Sequence, residues 1–317
     1  MLDKRNVKSI LHTRNKHRNR YDFKKLIVSC PSLSDYVLIN KYGNESIDFF
    51  NPKAVRLLNR ALLKHFYGII NWDIPKNYLT PPIPGRADYI HYIADLLGDS
   101  NFGKIPKGSN IVCLDIGVGA NCIYPIIGNS EYGWSFIGSD IDDISIKSAN
   151  SIIESNSTLK GNIDLRLQTN RNDIFNGVIK QDELIDVSIC NPPFHNSPED
   201  ARKGTIRKLS NLKKKAISNP VLNFGGKSNE LWSKGGEKQF VKEMIMQSKR
   251  ISSSCLWFTT LISKESTLKN AYKLLQKVDV VDVKTIPMSQ GNKSSRIVAW
   301  TYFGKKEQNK WAKKRWL

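Results

Sequence analysis

The sequence predicts an α/β protein of the Rossmann-like kind, and three stretches carry that prediction. Ile111–Ile116 is a largely apolar run that enters the turn Gly117-Val118-Gly119-Ala120-Asn121, as a buried strand delivering a glycine turn does. A second run, Trp134–Asp140, ends in an acid about twenty residues past that turn, where a carboxylate can accept both hydroxyls of a ribose. The third, Leu184–Cys190, stops at Asn191-Pro192-Pro193-Phe194, because two prolines cannot continue a sheet.

Composition bounds the rest. The 317 residues suffice for one large or two modest domains with a real core. No apolar run is long enough to cross a bilayer, and the N-terminus lacks the apolar stretch of a secretory signal. The 5 cysteines are scattered, with no CxxC pair and no zinc-ligand spacing. They are expected to be reduced, mostly buried thiols of a cytoplasmic protein, and no metal site is expected. The net charge of +20 favours a polyanion, nucleic acid before membrane.

The elements follow in order. Met1 to about Tyr21 is rich in Lys and Arg without apolar periodicity, and includes His12, Arg14 and Lys16. It reads as a flexible basic arm able to order on a phosphate backbone, or as a solvated tail. Asn51-Pro52 opens a helix, as N-cap and first-turn proline, and Gly68 closes it. Val55, Leu58, Leu62 and Phe66 share one face, and Lys53, Arg56, Arg60 and Lys64 lie nearly opposite. That stripe suits phosphates and suits an ordinary wet face equally. Leu79–Arg86, with three prolines and a glycine, reads as a stiff boundary. A helix follows over Ala87–Leu97, stopped at Gly98.

After the first two strands come a helix over Ile144–Ser155 and a strand over Ile163–Leu167 leading to Asn172-Asp173. The basic, glycine-bearing stretch 201–236 is too long for a connection and reads as a substrate-facing flap, or an unstructured insertion. Glu237–Arg250 and Leu268–Val278 are predicted helices around a strand at Leu256–Leu261. Val280–Thr285 and Arg296–Phe303 are a final antiparallel pair. The tail, with Trp311 and Trp316 interleaved among basic residues, reads first as a frayed end and second as a segment that stacks on RNA. The expected organisation is a basic N-terminal helical region over 1–86, a catalytic domain over 87–305 and a tail over 306–317.

The chemistry centres on the strand end. The Asn191 carboxamide oxygen and the Pro192 carbonyl are two acceptors, and proline has no N–H to compete. They suit a planar exocyclic amine, and Phe194 offers a face for a heteroaromatic base. Taken alone, Asn-Pro-Pro-Phe could equally be a strand-to-loop turn. The glycine turn and Asp140 point to a nucleoside cofactor, a dinucleotide or S-adenosylmethionine. The strand end favours the second, because hydride transfer has no evident use for it.

At this point the chain resembles the bacterial large-subunit rRNA adenine-N6 methyltransferases, relatives of the animal METTL-type snRNA and mRNA methyltransferase. The resemblance rests on His12-Thr13-Arg14-Asn15, Asn44–Phe49, Asn51–Gly68, Pro82–His91, Asp115–Pro125, Asn191–Phe194, Gly235-Gly236-Glu237, and Gln290-Gly291-Asn292 with Ala299-Trp300. It implies a class I S-adenosylmethionine-dependent methyltransferase fold, a seven-stranded mixed sheet with an N-terminal helical extension, acting on one adenine of 23S rRNA. By matching position, Asp115, Gly117, Gly119, Asn121 and Asp140 would hold the cofactor. Arg86 would approach its carboxylate end, and Asn172 or Asp173 its adenine. Asn191, Pro192, Pro193 and Phe194 would receive the target base. Naked 23S rRNA or a large-subunit assembly intermediate is the expected partner, and a monomer the expected state. Two rivals stand beside this reading: methylation of another planar amine, DNA adenine or protein glutamine, and a non-catalytic RNA-binding relative.

Overall fold

The computed structural model describes residues 11–193, 195, 197, 234–290 and 293–316. Its centre is a 7-stranded sheet of order β5-β4-β3-β6-β7-β9-β8. The strands are β3 (Val112–Ile116), β4 (Ser135–Asp140), β5 (Ile163–Leu167), β6 (Ile185–Cys190), β7 (Cys255–Ile262), β8 (Asp282–Gln290) and β9 (Lys293–Thr301). The first five are mutually parallel, and β9 runs antiparallel between β7 and β8. The chain order turns back between β3 and β6, so their carboxyl ends diverge at the switch point where open sheets bind ligands.

Side chains alternate across the pleat. Cys113, Val187, Ile189 and Trp257 enter one apolar core, and Leu114, Ile116, Cys190 and Phe258 the other. The first core takes in α3 (Ile83–Ser100), α4 (Ile123–Tyr132) and α5 (Asp143–Glu154). The second takes in α6 (Gly236–Ser248) and α7 (Glu265–Lys277).

The N-terminal region is built on α1 (Phe23–Ser29), the hairpin β1 (Val37–Ile39) with β2 (Glu45–Ile47), and α2 (Pro52–Tyr67). Helix α2 has the predicted ends: Asn51 accepts from the amides of Lys53 and Ala54, and Gly68 is left-handed. The region is not a separate unit, since Phe23, Leu26, Leu58 and Leu62 share the core of α3 and α4. The boundary expected at 86/87 falls inside α3, which starts at Ile83 because Pro82 and Pro84 are tolerated in a first turn. Nor does α3 stop at Gly98, where the helix runs on beneath Ile105.

Two terminal readings are corrected. From residue 11 the basic arm is seated on α3. The His12 and Asn15 amides reach Asp88, and the His12 ring and Arg14 guanidinium reach Asp95 at 2.8 and 2.6 Å. The expected frayed tail is α8 (Lys305–Arg315), and Asp186, fully buried at the start of β6, holds it. Asp186 accepts from the indoles of Trp311 and Trp316 at 2.7 and 2.8 Å and from both ends of the Arg315 guanidinium at 3.0 Å. A buried carboxylate demands donors, and the tail supplies them. The indoles are therefore committed to the fold. Among the described residues no helix is long and apolar enough to cross a membrane. All 5 cysteines are buried and unpaired.

Candidate active site

A cavity of about 950 Å³ opens at the carboxyl ends of β3, β4 and β6. Its wall includes Arg86, Gly117, Gly119, Asn121, Asp140, Asn172, Asp173, Asn191, Pro192 and Pro193. Ten positions read as site residues from the sequence therefore meet in one place. Phe194 and residues 201–233 of the flap expected over 201–236 lie outside the described residues.

The floor is the glycine turn. Gly117 and Gly119 sit at φ +77° and +65°, the left-handed region that glycine enters without a Cβ clash. The amides of Gly117 and Val118 donate to the Ser139 carbonyl at 2.8 and 2.9 Å, tying the turn to β4. Cys122, where a Rossmann fingerprint would place a third small residue, is itself left-handed at φ +53° and fully buried. Asn121 organises the turn: its Oδ1 accepts from the Ile123 amide at 3.1 Å, and its carbonyl accepts from the Trp72 indole at 3.0 Å. That indole is how the N-terminal region reaches the site.

Asp140 ends β4 with its carboxylate aimed along the cavity wall. Oδ2 accepts from the Gly119 amide and Oδ1 from the Asp142 amide, each at 2.9 Å. Burial raises its pKa, and the backbone donors work against that rise. Asn172 and Asp173 belong to a loop pinned to α6, where Gln247 accepts from the Ile174 amide and donates to the Asn172 carbonyl, at 2.8 and 2.7 Å. Asp173 Oδ2 is engaged by the amides of Asn170 and Asn176 at 2.7 and 3.1 Å.

Arg86 projects from α3, donates to the Tyr124 hydroxyl at 2.7 Å and lies over its ring at 5.4 Å. Asp115 departs from expectation. It is not part of the cavity wall; it lies beneath, 1% exposed, with neither carboxylate oxygen hydrogen-bonded among the described residues. Burial pushes its pKa up to about 8, with the Arg86 charge opposing the rise and Asp140 adding to it.

Asn191 lies one residue past the end of β6, and its Oδ1 is buried without a hydrogen-bond partner among the described residues. A buried acceptor left open is costly unless something else supplies a donor. This one stands on the cavity wall beside Pro192, whose own carbonyl has no neighbouring proline N–H to meet.

Sequence reasoning missed Tyr124, Gln168, Gln239, Phe240 and Glu243, which also line the wall. Tyr124 lies in the stretch Asp115–Pro125 and could have been found there. Gln239, Phe240 and Glu243 are brought in by the paired glycines. Gly235 and Gly236 take φ +81° and +58°, and a Cβ on Gly235 would stand 2.5 Å from that of Gln239. Buried Glu237 then accepts from the amides of Ser263 and Lys264 at 2.9 and 3.2 Å, fixing α6 to the end of β7.

The expected RNA-binding residues divide. His12 and Arg14 are committed to α3, and Lys16 pairs with Glu131 at 2.8 Å. Arg56 and Arg60 both pair with Asp73, and Lys53 lies over the Tyr36 ring at 5.4 Å. Lys64 is exposed in the last turn of α2. Much of the positive stripe therefore anchors the segment after α2.

Comparison with known proteins decides the lineage. A profile described as RNA methyltransferase matches residues 5–304. The chain belongs to this RNA methyltransferase family. It is 60% identical over 310 residues to the ribosomal RNA large subunit methyltransferase F of Cytophaga hutchinsonii, covering 98% of this chain and 96% of that one. Identity to the protein of the same name from Serratia proteamaculans is 54%, covering 98% and 92%. The hMettl16 catalytic domain in complex with MAT2A 3′UTR hairpin 1 is similar in structure, with TM-score 0.75, 28% identity and coverage of 92% and 96%. The N-terminal domain of human METTL16 in complex with SAH is similar too, with TM-score 0.72, 26% identity and coverage of 93% and 99%. An RNA methyltransferase needs a methyl donor site and an acceptor site in reach of each other, and the cavity holds residues suited to both.

Proposed function

We propose that this enzyme methylates N6 of one adenine in 23S rRNA, using S-adenosylmethionine. The observation that carries the reading is the unpartnered Asn191 Oδ1 on the wall of the cavity that also contains Gly117, Gly119 and Asp140. The relatives named as ribosomal RNA large subunit methyltransferases support the substrate, and the SAH-bound METTL16 domain supports the cofactor.

The residues present fit that cofactor. Asp140 has acceptor capacity for ribose hydroxyls beyond the two amides it already holds. Arg86 would hold a carboxylate, Gly117 and Gly119 allow close backbone approach, and Asn172 and Asp173, on the same cavity wall, would meet the adenine. Asp115, kept protonated up to about pH 8 by burial, would face the cofactor from beneath as a neutral carboxyl. S-adenosylmethionine supplies an electrophilic methyl group.

The chain's own part is to present the acceptor. An adenine drawn out of its stack brings an exocyclic amine with two N–H donors. Asn191 Oδ1 and the Pro192 carbonyl accept one each, and so fix the plane and direction of the amine. As nitrogen gains positive character, the two oxygens stabilise it. The N6 proton is lost after the new bond forms, so the residues do orientation rather than base catalysis. Phe194 would carry the base on its ring.

Nucleoside mass spectrometry of 23S rRNA from a strain lacking the protein, before and after treatment with purified enzyme and S-adenosylmethionine, tests this. N6-methyladenosine at a single mapped position is expected. Methyl transfer to DNA or to protein amides in parallel reactions, with rRNA unmodified, would overturn the substrate assignment.

A further inference from the structure

The sheet opens just before the acceptor residue. On one side, β3 pairs with β6 as far as Cys190. On the other, the last described pair between β6 and β7 is Ser188 with Phe258. Two hydroxyls occupy the opening. Thr259 Oγ1 lies 2.6 Å from the Ser188 carbonyl. The Tyr89 hydroxyl, reaching in from α3, lies 2.9 Å from Thr259 Oγ1 and 3.4 Å from both the amide and the carbonyl of Cys190.

The proton order is fixed by the two ends of this chain. A carbonyl only accepts, so the Thr259 hydroxyl donates to Ser188. Thr259 must then accept from Tyr89, and the Tyr89 oxygen is left to accept from the Cys190 amide. Full burial drives the Tyr89 pKa far upward, which keeps its proton in place.

We propose that Tyr89 is a positioning residue for the acceptor site: it holds the backbone of Cys190 so that Asn191 Oδ1 and the Pro192 carbonyl meet the target amine in one register. The proposal rests on the reading that Asn191 receives that amine. Packing alone does not call for the hydroxyl. The Tyr89 ring stands edge-on to Tyr124 at 5.4 Å between centroids, a contact phenylalanine would keep. Without the hydroxyl, the Cys190 amide loses its acceptor at the point where no β7 partner replaces it.

The test is methylation of 23S rRNA by the full chain, read as kcat and KM for both substrates. Tyr89→Phe should lower kcat by about tenfold to a hundredfold, the scale of a small misplacement of reacting groups, with both KM values unchanged. Thr259→Val should reproduce that loss, and Thr259→Ser, which keeps a hydroxyl, should restore wild-type turnover. In an Asn191→Ala background, Tyr89→Phe should cost nothing more, because both act through one acceptor. Wild-type kcat in Tyr89→Phe alongside a slow Asn191→Ala removes Tyr89 from positioning and leaves the acceptor assignment standing. Wild-type turnover in Asn191→Ala removes the assignment itself. Loss of S-adenosylmethionine binding by Tyr89→Phe in calorimetry makes the hydroxyl a general support of the fold and also overturns the proposal.

Discussion

Asp115 should make the folded enzyme less stable as pH rises. Its carboxylate is 1% exposed, makes no hydrogen bond among the described residues, and has its pKa pushed from 3.8 to about 8, chiefly by burial. In the unfolded chain the group ionises near its ordinary value, while in the folded protein it keeps its proton to about pH 8. Across that window the unfolded state binds fewer protons, so stability falls as pH rises and levels off above the folded pKa. Each unit of displacement is worth ~1.4 kcal/mol, so wild type should lose up to about 4 kcal/mol between pH 5 and pH 8 from this group. Asp115→Asn removes the titration and keeps the shape. Urea unfolding of both proteins at pH 5, 6, 7 and 8 isolates the effect, because every other titrating group is common to the pair. The wild-type curve should fall relative to the variant's as pH rises. Parallel curves would show that Asp115 is ionised and partnered in the fold, and would refute the reasoning.

Asn191→Ala should slow methyl transfer by about two orders of magnitude, the usual cost of removing one oriented group that stabilises developing charge, while calorimetry finds cofactor affinity little changed. Asp186→Ala would strand the Arg315 guanidinium and two indole N–H groups; a loss of about 3–5 kcal/mol is expected on urea unfolding, and an unchanged midpoint would mean α8 is not held there. Lys64→Glu should weaken RNA binding and reduce the salt slope by about one, measured by filter binding across a salt series. Arg56→Ala, which instead removes one of the two guanidinium partners of Asp73, should lower the melting temperature and leave that slope unchanged.

The strands and the glycine turn were legible because their signals are local. Burial on both faces requires apolar, β-branched runs, and left-handed turns require glycine, so Ile111–Gly119 and Leu184–Pro193 declare themselves. Helix α2 was readable from Asn51 to Gly68 because its caps lie in the sequence itself. The hairpin Val37–Ile47 gave no such signal: its strands are 3 residues each, and only Ile47 among them is buried. Charge was the least readable quantity. Arg14, Arg56 and Arg60 look like phosphate ligands in a basic sequence, yet each meets a carboxylate tens of positions away or across a turn.

What the sequence determined by itself was the set of local constraints: strand periodicity, turn glycines, an acid after the second strand, and two prolines that end the fourth. Tertiary structure decided which polar groups are committed and which are open. Asp186 and Asp115 are both acids inside central strands of one sheet, yet one is saturated by the terminal helix and the other has no partner among the described residues. The reason is that a buried polar group's state depends on what chain folding brings against it from far along the sequence. Local pattern records the group but not its partner.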